Sequence, residues 1–128
     1  MFLAALLTMT QLSLPLFPAF DQDAKARLTQ CLDLATGDPA AGEAAARQWR
    51  LEGGGYFARQ CLGVAYANQA RWDSAAGAFE EAAREAEAAR DKHAPDFWAQ
   101  AGNAWIAAGD AAKARGALDA ALASGILL

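Results

Sequence analysis

Residues 62–83 read LGVAYANQARWDSAAGAFEEAA and carry the strongest structural signal in the chain. From Trp72 onward its apolar residues recur at i, i+3, i+4, i+7, i+10, i+11 and i+14, at Trp72, Ala75, Ala76, Phe79, Ala82, Ala83 and Ala86. This spacing places them on one face of an α-helix, and the opposite face carries Glu80, Glu81, Arg84, Glu87 and Asp91. We therefore predict an amphipathic helix that buries its apolar face and exposes its charged face to solvent.

Composition predicts the same class for the whole chain. The 128 residues are enough for one domain with a core, and 55% of them are hydrophobic against 20% charged. Alanine supplies much of the apolar fraction, and runs rich in Val, Ile and Thr are missing, so we expect an all-α fold. The net charge of −4, without a Lys/Arg cluster, makes nucleic acid or an anionic membrane an unfavourable partner.

Breaks divide the chain after Asp21 into six predicted helices. Asp21 is expected to cap a helix that ends near Ala35. Gly37 is expected to end this helix, Asp38 to cap the next one and Pro39 to occupy its first position. The remaining helices are predicted over residues 39–51, 56–70, 72–90, 96–108 and from 111 onward, the last with Ala114, Leu118, Ala121 and Leu122 inward. Short breaks predict antiparallel neighbours.

The pattern around residue 62 recurs 39 residues later. Leu62-Gly63-x-x-Tyr66 precedes Trp72, Ala75, Phe79 and Ala82, and Ala101-Gly102-x-x-Trp105 precedes Ala111, Ala114, Leu118 and Ala121. Each glycine is expected to let the paired helix approach closely. These residues resemble the tetratricopeptide repeat, although that family's unit is about 34 residues long.

The resemblance implies a short right-handed α-solenoid of three helix pairs. Two repeats cover residues 56–90 and 95–126, and a degenerate repeat covers residues 24–52. In the degenerate copy a shift of 30 aligns Cys31 with Cys61, but Asp33 and Thr36 replace the family's glycine and aromatic residue.

The same resemblance implies a concave groove lined by the first helix of each pair. Its residues would be Phe57, Gln60, Val64, Ala67 and Asn68 in one repeat and Asp96, Ala99, Asn103, Ile106 and Ala107 in the next. Asn103 matches a position that binds C-terminal carboxylates in some family members, but the accompanying lysine is missing. We expect the groove to bind an extended or helical peptide, unless these residues pack within the chain or on another subunit.

Motifs for catalysis or metal binding are not found in the sequence. The single histidine, His93, falls in a predicted loop and is expected to be solvated, and the serines have no neighbouring base. Without a second histidine or clustered cysteines no metal site is predicted, and Gly53-Gly54-Gly55 lacks the Lys of a phosphate loop. We therefore expect a non-enzymatic protein without a cofactor.

The two cysteines are predicted to be small buried side chains without a disulfide. Cys31 and Cys61 occupy equivalent positions, and such positions on stacked helices are expected about 10 Å apart. A disulfide needs Cα atoms within about 7 Å.

Residues 1–20 carry no charged side chain and resemble the hydrophobic region of a secretory signal. We expect an exported protein, periplasmic or attached to the bacterial envelope, although a basic start and a clear cleavage site are missing; a cytoplasmic protein is the alternative. The segment would otherwise pack on the domain or reflect a misplaced start codon. Pro15 and Pro18 argue against a membrane-spanning helix.

Two classes of function follow. The first is a protein-interaction module or scaffold that binds a peptide or protein in the groove. The second is a self-assembling unit that forms a homo-oligomer through its last helix, because residues 124–128 end the repeat without a polar cap. A fragment of a longer array, or a regulatory domain severed from a larger enzyme, is a further alternative.

Overall fold

The computed structural model describes residues 20–127, and side chains over residues 23–125. Over the described residues the fold consists of six helices without a strand: α1 (Phe20–Gly37), α2 (Pro39–Leu51), α3 (Gly55–Ala67), α4 (Trp72–Ala88), α5 (Ala94–Ala108) and α6 (Ala111–Leu127). The predicted all-α class and helix number are therefore confirmed. The predicted signal segment lies outside the described residues, apart from Phe20, and no described helix is long and apolar enough to span a membrane.

Local capping chemistry explains several helix ends. Asp38 caps α2 as predicted, because its side chain accepts a hydrogen bond from the Ala41 N–H at 3.2 Å and Pro39 follows it. The predicted start of α1 at Asp21 differs from the observed start at Phe20 by one residue. Ala70, Arg90 and Gly109 adopt left-handed backbone angles after α3, α4 and α5. The same type of turn therefore ends three successive helices.

Neighbouring helices are antiparallel and approach closely at glycines. A Cβ atom on Gly63 would lie 2.6 Å from Phe79 Cε1, and one on Gly102 would lie 2.6 Å from Leu118 Cδ2. Both partners of the second contact follow those of the first by 39 residues, so the same close contact recurs between α5 and α6. The predicted role of these two glycines is confirmed.

The odd-numbered helices also contact one another, and this corrects the cysteine prediction. Cys31 of α1 and Cys61 of α3 are buried and joined by a disulfide, with Cα atoms 6.1 Å apart. The predicted separation of about 10 Å is the distance between the axes of two packed helices. Each Cα atom lies about 2.3 Å from its own axis, so two Cα atoms that face each other are closer than the axes by about twice that radius. Residues in equivalent positions can therefore lie within disulfide distance when both face the joint.

The charged face of α4 is predicted to face solvent alone, but several of its carboxylates bind side chains of the neighbouring helices. Trp105 Nε1 donates to Glu80 at 2.7 Å, and Trp98 Nε1 donates to Glu87 at 2.5 Å. On the other flank Arg59 of α3 pairs with Glu81 and Glu85. Long side chains from both neighbouring helices reach around α4, so its carboxylates connect α3 and α5.

The inward face of α6 also differs from the prediction. Ala114, Ala117 and Ser124 are buried, whereas Leu122 is 69% exposed. Leu118 contacts Gly102 but remains partly exposed. The buried stripe of α6 is narrow because α5 covers only one side of it.

Candidate partner-binding surface

Aromatic rings close the joint between α3 and α5 at its amino-terminal end. The Phe57 ring lies 6.1 Å from that of Phe97 and 5.5 Å from that of His93, measured between centroids. Phe97 is 1% exposed, and Tyr56 packs beside both phenylalanines. Ring contacts therefore join α3 and α5 at this end of the joint.

The half-buried Asp91 carboxylate holds the loop that precedes α5. Asp91 accepts hydrogen bonds from Tyr56 Oη at 2.7 Å and from the His93 N–H at 2.8 Å, and the His93 ring lies 2.6 Å from it. Burial alone raises the pKa of the Asp91 carboxyl, but the bonds from Tyr56 and His93 outweigh burial and lower that pKa below its ordinary value. His93, expected to be solvated, is therefore half-buried between rings and carboxylate.

The joint opens toward the carboxyl-terminal ends of α3 and α5. Gln60 Nε2 donates to Gln100 Oε1 at 3.1 Å near the middle of the joint. Beyond this bond the facing residues are small, and an open depression of about 200 Å³ is lined by Ala67, Trp72, Phe79, Gln100, Asn103 and Ala104. We call it the Trp72 depression. Alanine side chains are too short to fill the space that the aromatic rings fill at the other end.

Trp72 is the most prominent side chain of this surface. It is 36% exposed, whereas the other three tryptophans are at most 8% exposed. It also lines an adjoining depression of about 430 Å³, together with Ala70, Arg71, Asp73, Ser74, Ala107 and Ala108. An indole exposed between two concave surfaces is a ready apolar contact for a bound molecule.

The structure separates the predicted groove residues into two groups. On α3, Phe57, Gln60 and Val64 are half-buried, and Asn68 donates to the Ala35 carbonyl of α1 at 2.8 Å. On α5, Asp96, Asn103 and Ile106 are exposed, and Ile106 is 58% exposed. Of the ten predicted groove residues, Ala67 and Asn103 line the Trp72 depression.

Four of the six lining residues, Trp72, Phe79, Gln100 and Ala104, were not among the predicted groove residues. Trp72 was assigned to the buried face of its helix, but it is the first residue of α4, so no preceding helical turn covers it. Gln100 lies three residues before Asn103, a spacing that places both on one side of α5 and could have indicated it.

Among residues 20–127 no group of three or more His, Cys, Asp or Glu is arranged to hold a metal ion. Comparison with known proteins finds no matching family model, no similar curated protein and no similar solved structure.

Proposed function

We propose that this chain is a non-enzymatic protein-interaction module of the tetratricopeptide type, which binds a segment of a partner protein at the Trp72 depression. In this proposal α1/α2, α3/α4 and α5/α6 are three repeats stacked as a short right-handed α-solenoid. The odd-numbered helices then form the surface that the partner contacts.

Recurring contacts support the proposed architecture. The Gly63–Phe79 contact recurs at Gly102–Leu118 after 39 residues. Similarly, Arg71 lies over the Tyr66 ring at 4.5 Å, and Lys113 lies over the Trp105 ring at the same distance. Contacts that recur between helix pairs are typical of a repeat protein, in which each unit packs in the same way.

The exposed Trp72 indole carries the proposed binding role. A tryptophan has few side-chain rotations to restrict, so covering it costs little entropy and buries a large apolar area. The Asn103 amide at the rim makes no hydrogen bond within residues 23–125, and it can pair with the main chain of an extended segment. None of the six lining side chains titrates, so the surface favours binding over acid–base chemistry.

The disulfide supports an exported protein. Disulfides persist in oxidising compartments such as the bacterial periplasm and are rare in the cytosol. The Cys31–Cys61 bond therefore agrees with the export expected from residues 1–20, and we propose a periplasmic or envelope location.

A peptide selection tests the binding proposal. Random peptides displayed on phage are selected on the wild-type chain, and the affinities of the enriched peptides for the wild type and for a Trp72→Ala variant are then measured. We expect enriched peptides to share a large apolar residue, and to bind Trp72→Ala about thirtyfold more weakly, as for a loss of about 2 kcal/mol at an interface tryptophan. Asn103→Ala changes an exposed residue and leaves the core intact. It is expected to weaken the binding of the same peptides by a smaller factor.

Leu51→Ala is the matched control, because Leu51 is 78% exposed on α2 away from the depression. It should bind the selected peptides as tightly as the wild type. Equal affinities for the wild type and for folded Trp72→Ala and Asn103→Ala would exclude this site.

A further inference from the structure

The outward face of α6 carries a regular stripe of four exposed residues. Ala112, Arg115, Asp119 and Leu122 recur at i, i+3, i+7 and i+10, opposite the buried Ala114 and Ala117. This alternating spacing of three and four is the one with which one helix packs along another. The four residues therefore form one continuous line along the outward side of α6.

The charges on this stripe are unused within the chain. Arg115 and Asp119 form no ion pair with another residue between 23 and 125, although Lys113 beside them lies 3.9 Å from Asp110. Two opposite charges in the middle of the stripe leave its net charge at zero. A surface that carries a negative charge opposite Arg115 and a positive charge opposite Asp119 would pair with both.

The stripe is self-complementary when two copies of α6 run in opposite directions. When two copies of α6 lie antiparallel about the level of Ala117, Arg115 of each copy faces Asp119 of the other, and Ala112 faces Leu122. Each positive charge then meets a negative one, and each large side chain meets a small one. A two-fold axis requires this self-complementarity, because both subunits contribute the same surface.

We propose that α6 is the interface of a homodimer in which two copies pack antiparallel through Ala112, Arg115, Asp119 and Leu122. This goes beyond binding at the Trp72 depression, because α6 contributes no residue to that depression. An interface of one helix pair is small, so the dimer is weak and forms at high protein concentration. Because its ion pairs lie near solvent, added salt weakens it.

Sedimentation equilibrium of the full chain tests the dimer, at concentrations up to about 1 mM, where a small interface of this kind is still populated. Arg115→Glu places like charges opposite each other in both of the symmetry-related charge pairs, and we expect the dissociation constant to rise at least about tenfold. Adding Asp119→Arg to Arg115→Glu restores opposite charges across the interface. We expect the dissociation constant of this double variant to lie within about threefold of the wild-type value.

The control is Lys25→Glu, which makes the same change of charge at an exposed residue of α1 and should leave the dimer unchanged. Circular dichroism establishes that each variant is folded. A chain that stays monomeric throughout overturns the proposal, as does a dimer that tolerates Arg115→Glu. A dimer that the double exchange does not restore excludes the antiparallel pairing.

Discussion

The α1–α3 joint and the α3–α5 joint connect equivalent helices by different means. At the first joint Cys31 and Cys61 form a buried disulfide, and Asn68 donates to the Ala35 carbonyl further along. The second joint has rings at one end and the Gln60–Gln100 hydrogen bond near its middle. Its other end is open. The first joint is thus held near the middle of α3 and at its carboxyl-terminal end, whereas the second is held at one end and near its middle.

This difference indicates how a stack of helices acquires a binding surface. A covalent bond between short side chains holds α1 and α3 close, and buried alanine fills the remaining space. Large rings hold α3 and α5 together at one end, and small residues at the other end leave Trp72 uncovered. The proposed binding site is therefore a consequence of uneven packing at the second joint.

Phe97→Ala breaks the closed end of the second joint and is expected to have the largest effect. Phe97 is the largest fully buried side chain, and its truncation should lower the free energy of unfolding by about 4 kcal/mol. Urea unfolding at pH 7 measures this loss. Phe57→Ala removes a half-buried ring of the same cluster and should cost clearly less. Equal losses would mean that Phe97 does not hold the joint.

Replacing both cysteines by alanine breaks the first joint and ranks second. The disulfide closes a segment with a sequence separation of 30, and its removal should cost about 3 kcal/mol. Wild-type protein unfolded in the presence of a reductant should show the same loss, whereas the double variant should be insensitive to the reductant. Identical stability of wild-type protein with and without complete reduction would contradict this prediction.

Asp91→Asn weakens the loop before α5 and is expected to cause the smallest of the three losses in the free energy of unfolding. It removes the charged acceptor of Tyr56 and His93, and should cost about 1 kcal/mol at pH 7. The pKa of Asp91 is lowered in the folded state, so its stabilisation is present above the ordinary aspartate pKa of about 3.9 and is lost as pH falls through the folded value.

Urea unfolding between pH 7 and pH 2.5 should therefore show the wild type and Asp91→Asn converging in acid. Asp33→Asn, at an exposed position of α1, should follow the wild type at every pH to within about 0.5 kcal/mol. A stability difference for Asp91→Asn that persists unchanged at the lowest pH would rule out a role for the carboxylate charge.

Features that depend on neighbouring residues in the chain were predictable from sequence, and features that depend on distances between helices were not. The Asp38 cap and the apolar face of α4 follow from local spacing, and both were predicted. The disulfide depends on how closely α1 and α3 approach. Trp72 is exposed because it is the first residue of α4 and because α5 places Ala104 and Asn103 beside it, and the periodicity of α4 cannot reveal the second cause.

The most direct test of the central claim is an NMR titration of the indole N–H groups with a peptide from the selection. Trp72→Phe assigns the Trp72 resonance. We predict that this resonance shifts on binding, while those of Trp98 and Trp105, hydrogen-bonded to Glu87 and Glu80, do not. A bound peptide that leaves the Trp72 resonance in place would contradict the account.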